Sequence, residues 1–389
     1  MGGRLKVLQV SSGLDPRTGG TATAAVNVAL AASRADVAVT LAYPFARDSA
    51  ERLVPDLARL KAAGVRTIGW PFWHAGGQRA VRWAIAPGLV QYLRAHAGDF
   101  DLVHAHSAWV ASSVAAVRAA RRAERPSLLM PHEALTDFDM ARGGNQGLRL
   151  AKRWLRGWYL RRVDRIVVSS ALERRDSRLD DDPRTLAIPH PVLDETAFAP
   201  PPATPDDALR IGFLGRLHPK KNLHRLVKAL AAAPRARLII GGDGDPSYRA
   251  EVEAVIARHG VTDRVTWLGF IDAAGKPDFF HAVDVVAMPS EFECFGLVAA
   301  EALGAGTPVI LSPTVGIADM IADADCGAIV PPRADALAAC FRRLDDGVEL
   351  ARWRTHARTV ALELFSFAAH GTRLRAAYEA LCDEYRARP

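Results

Sequence analysis

Apolar and polar positions fall into two alternating patterns along the chain. Short, continuously apolar, β-branched runs recur at residues 6–10, 37–43, 101–104, 165–169, 210–215, 237–240, 265–269, 285–289 and 308–311. A run that is apolar at successive positions, not at every second one, marks a strand covered on both faces. Between these runs lie Ala-rich stretches of helical character, among them 21–32, 247–258 with Gly260 as a stop, and 297–303. Repeated strand–helix alternation predicts parallel, doubly wound α/β sheets.

The alternation breaks once. Pro189, His190 and Pro191 are followed by Pro200, Pro201, Pro202 and Pro205, and no regular pattern resumes before Arg210. A Pro-rich stretch of this kind predicts an interdomain linker. It divides the chain into an N-terminal Rossmann-like domain over 1–195 and a C-terminal one over 206–365. The last helical stretch, from 366 towards 389, is compatible with either half.

Composition adds exclusions. The chain of 389 residues is 49% hydrophobic with a net charge of +7, which suits two packed cores and argues against disorder. Its apolar runs fall short of the roughly 18 residues that a membrane span needs, and the short first run reads as a strand, not a signal peptide. The four cysteines, Cys294, Cys326, Cys340 and Cys382, form no C-x-x-C pair. That pattern fits a reducing, cytoplasmic setting and not a disulfide framework or zinc site.

Candidate chemistry is densest between Arg210 and Pro313. The strand over 210–215 ends at Gly215, followed by Arg216, Lys220, Lys221 and Asn222, the last placed to cap a helix beginning at Leu223. In an open α/β sheet, ligands sit beyond the carboxyl ends of strands. A guanidinium fork and a lysine point charge there suit a diphosphate, although solvated loop cations have the same spacing. Further on, Met288-Pro289-Ser290 ends a strand, and Glu291 to Gly296 lead into the helix over 297–303. The unpaired amides and positive dipole end of that helix favour a phosphate, and Gly296 allows close backbone approach. Glu293 just before the helix and Glu301 eight residues later would be out of place beside an anion unless they accept hydroxyls. The plainer reading of Glu301 is a surface position on an otherwise apolar helix.

The ordered series Gly215-Arg216, Lys221, Gly241-Gly242-Asp243-Gly244, Leu268-Gly269, Asp284, Pro289-Ser290, Glu293-x-Phe295-Gly296, Glu301 and Gly306-Thr307-Pro308-Val309 resembles glycosyltransferase family 4, the retaining, glycogen-synthase-like group. Glu293 and Glu301 match its E-x7-E motif. The resemblance implies the GT-B fold, two Rossmann-like domains facing across a cleft, with a nucleotide diphosphate sugar as donor and no cofactor or metal. It implies that Arg216 and Lys221 neutralise the departing diphosphate. Glu301 would bind ribose hydroxyls and Glu293 those of the transferred sugar. Backbone at Phe295, Gly296 and Leu297, with Gly215, would cradle phosphate, and Gly242, Phe270 and Ile271 would border the base. The chain departs from the family at His190, where Asn is usual, at Val315-Gly316, where two glycines are common, and at Asp319, where Glu is frequent.

The N-terminal half agrees more loosely. The loop from Ser11 to Gly20 resembles the family's Gly-Gly loop, with Gly19 and Gly20 closing over donor phosphate and acceptor. It lacks the G-x-G-x-x-G pattern of a dinucleotide enzyme. Asp101 to His106 and Met130 to Glu133 end two strands. His104 and His106 are two apart and so share one side of a strand; that arrangement could suit a metal, but no third ligand stands at metal-site spacing. His132 matches the family's active-site histidine. His104, His106, Glu133 and Trp73 are candidate acceptor contacts.

The segment 149–165 holds seven basic residues against Asp164. On a helical projection Arg149, Lys152, Arg153 and Arg156 gather opposite Ala151, Trp154, Leu155 and Trp158. Such a helix either packs its Trp face on the sheet or rests on an anionic membrane at the inner face of the plasma membrane. A glycan or a lipid-linked acceptor is compatible with both. The family resemblance implies retaining, front-face transfer of a sugar to a hydroxyl, in polysaccharide or glycolipid biosynthesis. The alternatives are a nucleotide-sugar 2-epimerase of similar fold, or a basic membrane- or nucleic-acid-binding scaffold. No RNA or DNA module is recognisable, so nucleic acid is not the expected partner.

Overall fold

The computed structural model describes residues 4–72, 86–141, 146–194 and 208–388. The chain forms two compact units, Met1–Pro191 with Phe367–Pro389, and Val192–Ser366. The first change of unit therefore falls just before the Pro-rich stretch at 200–205, which lies outside the described residues, and the C-terminal helix belongs with the N-terminal unit.

In the first unit β1 (Lys6–Val10), β2 (Ala38–Ala46), β3 (Arg66–Phe72), β4 (Leu102–His106), β5 (Ser127–Met130), β6 (Arg165–Val168) and β7 (Thr185–Ala187) form a parallel sheet in the order β3-β2-β1-β4-β5-β6-β7. Successive residues enter opposite cores, Leu102 and Leu128 on one face and Val103 and Leu129 on the other. That is why these strands read as unbroken apolar runs. The helix Gly20–Arg34 packs against the closing helix Phe367–Arg386. A Cβ on Gly371 would lie 2.4 Å from the Ala31 carbonyl oxygen, so glycine is what permits this close crossing.

In the second unit β8 (Leu209–Leu214), β9 (Ala236–Gly241), β10 (Val265–Gly269), β11 (Val285–Met288), β12 (Val309–Leu311) and β13 (Gly327–Ile329) are ordered β10-β9-β8-β11-β12-β13, again all parallel. Val285 and Ala287 enter one core, Val286 and Met288 the other. At the amino end of β8 and β11, Asp284 takes Arg210 (2.9 Å) and Arg354 (2.7 Å). Burial pushes the Asp284 carboxyl up, but the Arg210 and Arg354 guanidiniums outweigh it and hold the group below the usual carboxylate range.

Candidate active site

Strand order reverses in the second unit between β8 and β11. Loops leaving two such neighbours diverge, which opens a crevice at their carboxyl ends. The loop after β8 carries Gly215, Arg216, Lys220 and Lys221, and the loop after β11 carries Glu291 and Glu293 before the helix Leu297–Gly304. Two bonds tie these loops together. The Glu291 amide donates to the Lys220 carbonyl at 2.7 Å, and Asn222 Nδ2 donates to the Pro289 carbonyl at 2.9 Å. Asn222 does stand at the N-cap of the helix that begins at Leu223, but its side chain does not cap it. Its backbone is left-handed, with φ 54°. The buried carbonyl at the strand end claims the amide instead.

Glu293 stands at the centre of this arrangement. Its Oε1 lies 2.6 Å from Lys221 Nζ and 3.7 Å from Lys220 Nζ, with its side chain 16% exposed. Burial pushes its carboxyl up; Lys221, Lys220 and, more weakly, Arg216 outweigh that and hold it below the usual carboxylate range. Arg216 is exposed and makes no ion pair among the described residues. Glu293 is pinned through its backbone, its amide donating to the Thr314 carbonyl (2.9 Å) and its carbonyl accepting from the Gly316 amide (2.8 Å). The Val315-Gly316 pair is therefore part of the scaffold that aims Glu293.

Gly296 has φ 105°, and a Cβ there would lie 2.7 Å from Val315 Cγ1, so this entry to the helix accepts glycine alone. The first turn from Leu297 leaves amides without intrahelical partners at the positive end of the dipole. Phe295 contributes backbone only, since its ring is buried edge-on against Phe365 at 5.6 Å. Gly242 lies so close to Gly215 that a Cβ would stand 1.9 Å from the Gly215 carbonyl oxygen.

Beside it, at the carboxyl end of β10, an open pocket of about 580 Å³ is lined by Leu268, Phe270, Ile271, Asp272, Gly275 and Asp278. Phe270 is exposed there, whereas Ile271 covers Gly241. Glu301 is not a solvated surface residue. Lys276 Nζ lies 2.7 Å from each of its carboxylate oxygens. No motif around Lys276 announces that contact.

The first unit builds a different cluster at the carboxyl ends of β4 and β5. His104 and His106 are buried on the same side of β4 and stack at 4.2 Å between ring centroids. His106 Nδ1 shares a hydrogen bond of 2.9 Å with His132 Nε2, and His132 stacks on His190 at 5.0 Å. His104 Nδ1 meets the Tyr378 hydroxyl at 2.6 Å, and Gln9 Nε2 donates to that hydroxyl at 3.2 Å. The two histidines thus engage Tyr378 and His132 rather than pointing at a shared ligand.

Burial, reinforced by neighbouring imidazoles, holds His104, His106, His132 and His190 well below the usual histidine range. His132 and Glu133 have φ 51° and 75°, left-handed values that non-glycine residues rarely adopt. The Glu133 amide is held by Glu173 Oε1 at 2.9 Å. Gly20 opens the helix Gly20–Arg34 with Gly19, φ 111°, as its cap residue. Trp73 lies outside the described residues.

The helix Gln146–Leu160 corrects the helical projection. Lys152 is not on a solvated basic face but buried, paired with Asp139 at 2.7 Å. Trp158 is buried with Arg118 and Arg162 over its ring, whereas Trp154, 64% exposed, faces solvent with Leu150, 63% exposed. The two tryptophans are four apart, but the helix packs through Lys152, Leu155, Trp158 and Tyr159, and Trp154 falls outside that contact. Among the described residues no helix is long and apolar enough to cross a membrane.

Residues 19–189 match the glycosyl transferase 4-like domain, and residues 194–359 match glycosyl transferases group 1. The D-inositol 3-phosphate glycosyltransferase of Mycolicibacterium smegmatis is 30% identical over 244 residues, 58% of this chain and 55% of that protein. The chain thus spans a little over half the length of that curated relative. The fold matches sucrose-phosphate synthase of Thermosynechococcus elongatus with TM-score 0.78 and 22% identity, covering 98% of this chain and 100% of the other. It matches the Anabaena HepE protein, solved with UDP and glucose, with TM-score 0.74 and 20% identity, covering 97% and 100%. The chain belongs to the family 4 glycosyltransferases of GT-B fold, and carries both of that family's domains.

Proposed function

We propose that the protein transfers a sugar, with retention of configuration and without a metal, from a nucleoside diphosphate sugar to a hydroxyl acceptor. The observation that carries this reading is Glu293 held by Lys221 and Lys220 beside Arg216, at the open end of the helix Leu297–Gly304. Breaking the bond between sugar and phosphate leaves negative charge on the departing oxygen. Preorganised cations and amides stabilise that charge as it develops. Lys221 and Arg216, with the amides near Phe295, Gly296 and Leu297 and the backbone of Gly215, take this role. Glu293 accepts hydroxyls of the sugar, Glu301 those of the ribose, and Gly242, Phe270 and Ile271 border the base. The acceptor oxygen forms the new bond to the anomeric carbon on the face the phosphate leaves, and its proton passes to the departing phosphate oxygen. His132 orients the reacting groups, with Gly19 and Gly20 near the phosphate and His104, His106, Glu133 and Trp73 on the acceptor side.

A second observation bears on the acceptor. Leu150 and Trp154 project from the helix Gln146–Leu160 beside exposed Arg149 and Arg153. Apolar side chains ringed by arginines suit an anionic lipid surface, which supports a lipid-linked or membrane-borne acceptor.

The test is product analysis with a panel of nucleotide sugars and acceptors. A transferred sugar whose anomeric configuration, read by NMR, matches the donor supports the proposal. Conversion of the donor into its 2-epimer without acceptor would replace it with the epimerase reading. Transfer unchanged in both Lys221→Ala and Glu293→Ala would remove the donor-site assignment.

A further inference from the structure

The assignment of Glu301 to a ribose leaves open why this carboxylate carries a lysine of its own. Lys276 opens the helix Lys276–Ala282, where the positive dipole end disfavours a cation, so its position does not serve that helix. It follows Gly275 in the wall of the pocket beside Phe270 and Ile271. Its Nζ is equidistant, at 2.7 Å, from both Glu301 oxygens, with side chains 26% and 13% exposed. The rest of the helix face around Glu301 is apolar and buried, with Ala299, Ala300, Ala302 and Leu303 all in the core.

A carboxylate offers about four acceptor positions, two on each oxygen. Lys276 takes one on each oxygen and leaves one on each, and no other group of the described residues approaches them. Two parallel acceptors on a carboxylate fixed by Lys276 match a vicinal diol that donates two hydrogen bonds. A carboxylate free to rotate would match it less well. We propose that Lys276 is a specificity-determining residue of the donor site, orienting Glu301 so that it selects the 2′,3′-diol of a ribonucleotide over a 2′-deoxynucleotide. This rests on the donor-site reading above.

The experiment measures binding of UDP, GDP and ADP to the full chain by calorimetry, each against its 2′-deoxy counterpart, with inorganic pyrophosphate as reference. In the wild type, the nucleotide that binds best should exceed its deoxy form by about tenfold, the worth of one charge-assisted hydrogen bond. Lys276→Met should bring that ratio close to one and leave pyrophosphate binding as it was, while Lys276→Arg should keep most of it. If Lys276→Met melts early, Lys276→Ala, which likewise lacks a donor, is read in the same way. A wild-type ratio retained in the uncharged variant overturns the role of Lys276 and leaves the donor site standing. No binding of any of the three nucleotides by the wild type overturns the donor site itself.

Discussion

His106 and His132 lie nearly parallel, 5.2 Å between ring centroids and 14° between planes, and share one hydrogen bond between Nδ1 and Nε2. One proton serves that bond, so the pair is at ease with neutral rings. The same holds for the column around it. Burial keeps His104, His106, His132 and His190 well below the usual histidine range, and lowers His370 to about 4 although the Pro189 carbonyl pulls the other way. Above pH 6.5 folded and unfolded chains both carry neutral rings and the column contributes no pH dependence. Below it the unfolded chain takes up protons that the folded chain refuses, so stability falls with pH by about 1.4 kcal/mol per pH unit for each such ring. Urea unfolding at pH 8, 7, 6 and 5 should show a flat region and then a steep fall. A pH-independent midpoint down to pH 5.5 would refute neutral burial of the column.

Removing Lys221 leaves the Glu293 carboxylate with weaker compensation. Lys221→Ala should lower transfer by about a hundredfold and destabilise the fold by about 2 kcal/mol. The pair Lys221→Met with Glu293→Gln should regain most of the stability and none of the activity. Calorimetric melts alongside initial rates separate the two effects; recovery of activity in the double variant would contradict the assigned roles.

Gly242→Ala places a methyl group 1.9 Å from the Gly215 carbonyl oxygen, at a residue whose φ of 128° already excludes other side chains. Backbone strain of this kind costs about 1–3 kcal/mol. The strand ends of β8 and β9 must part to relieve it, so the melting temperature and nucleotide affinity should fall together.

Asp284→Asn strands Arg210 and Arg354 at the opposite end of the same sheet. Breaking a buried pair by removing one partner costs about 3 kcal/mol. The melt should shift accordingly while nucleotide affinity, measured well below the transition, stays at the wild-type value. A parallel loss of affinity would show that the two ends of the sheet are coupled.

Leu150→Ser with Trp154→Ala removes exposed apolar surface from a helix whose packing relies on Trp158. Stability should change by no more than about 0.5 kcal/mol, as for other surface substitutions. Co-sedimentation with vesicles containing anionic lipid should drop, and less at low than at high salt if the arginines share the contact, since their attraction to the lipid is least screened at low salt. Binding to vesicles equal to that of the wild type would remove this face from the acceptor reading.

The architecture was largely legible in the order of residues because its determinants are local. Doubly covered strands must be apolar at successive positions, as Val285 to Met288 are with their side chains entering two cores in turn. Gly215, Gly242 and Gly296 mark places where backbone crowds backbone or a neighbouring side chain, and a missing Cβ is visible in the sequence. Lys221 and Glu293 were legible as charges beyond strand ends; that the switch between β8 and β11 brings their side chains together was not.

Partnerships across elements were not legible, because they depend on how helices and loops seat on the sheet. Asn222 has the right type and place for a cap, yet the Pro289 carbonyl on another loop takes its amide. Lys152 follows the charge pattern of its neighbours and still turns inward to Asp139, while Trp154 turns outward where the helix has nothing to pack on. Glu301 looks solvated until Lys276, twenty-five residues earlier, reaches both of its oxygens. Sequence alone determined which positions are covered, where backbone must turn and which charges stand at strand ends, since steric and hydrophobic demands act residue by residue. Only tertiary structure decided which charge meets which, because electrostatic and hydrogen-bond partners are chosen by distances that exist after the chain has packed.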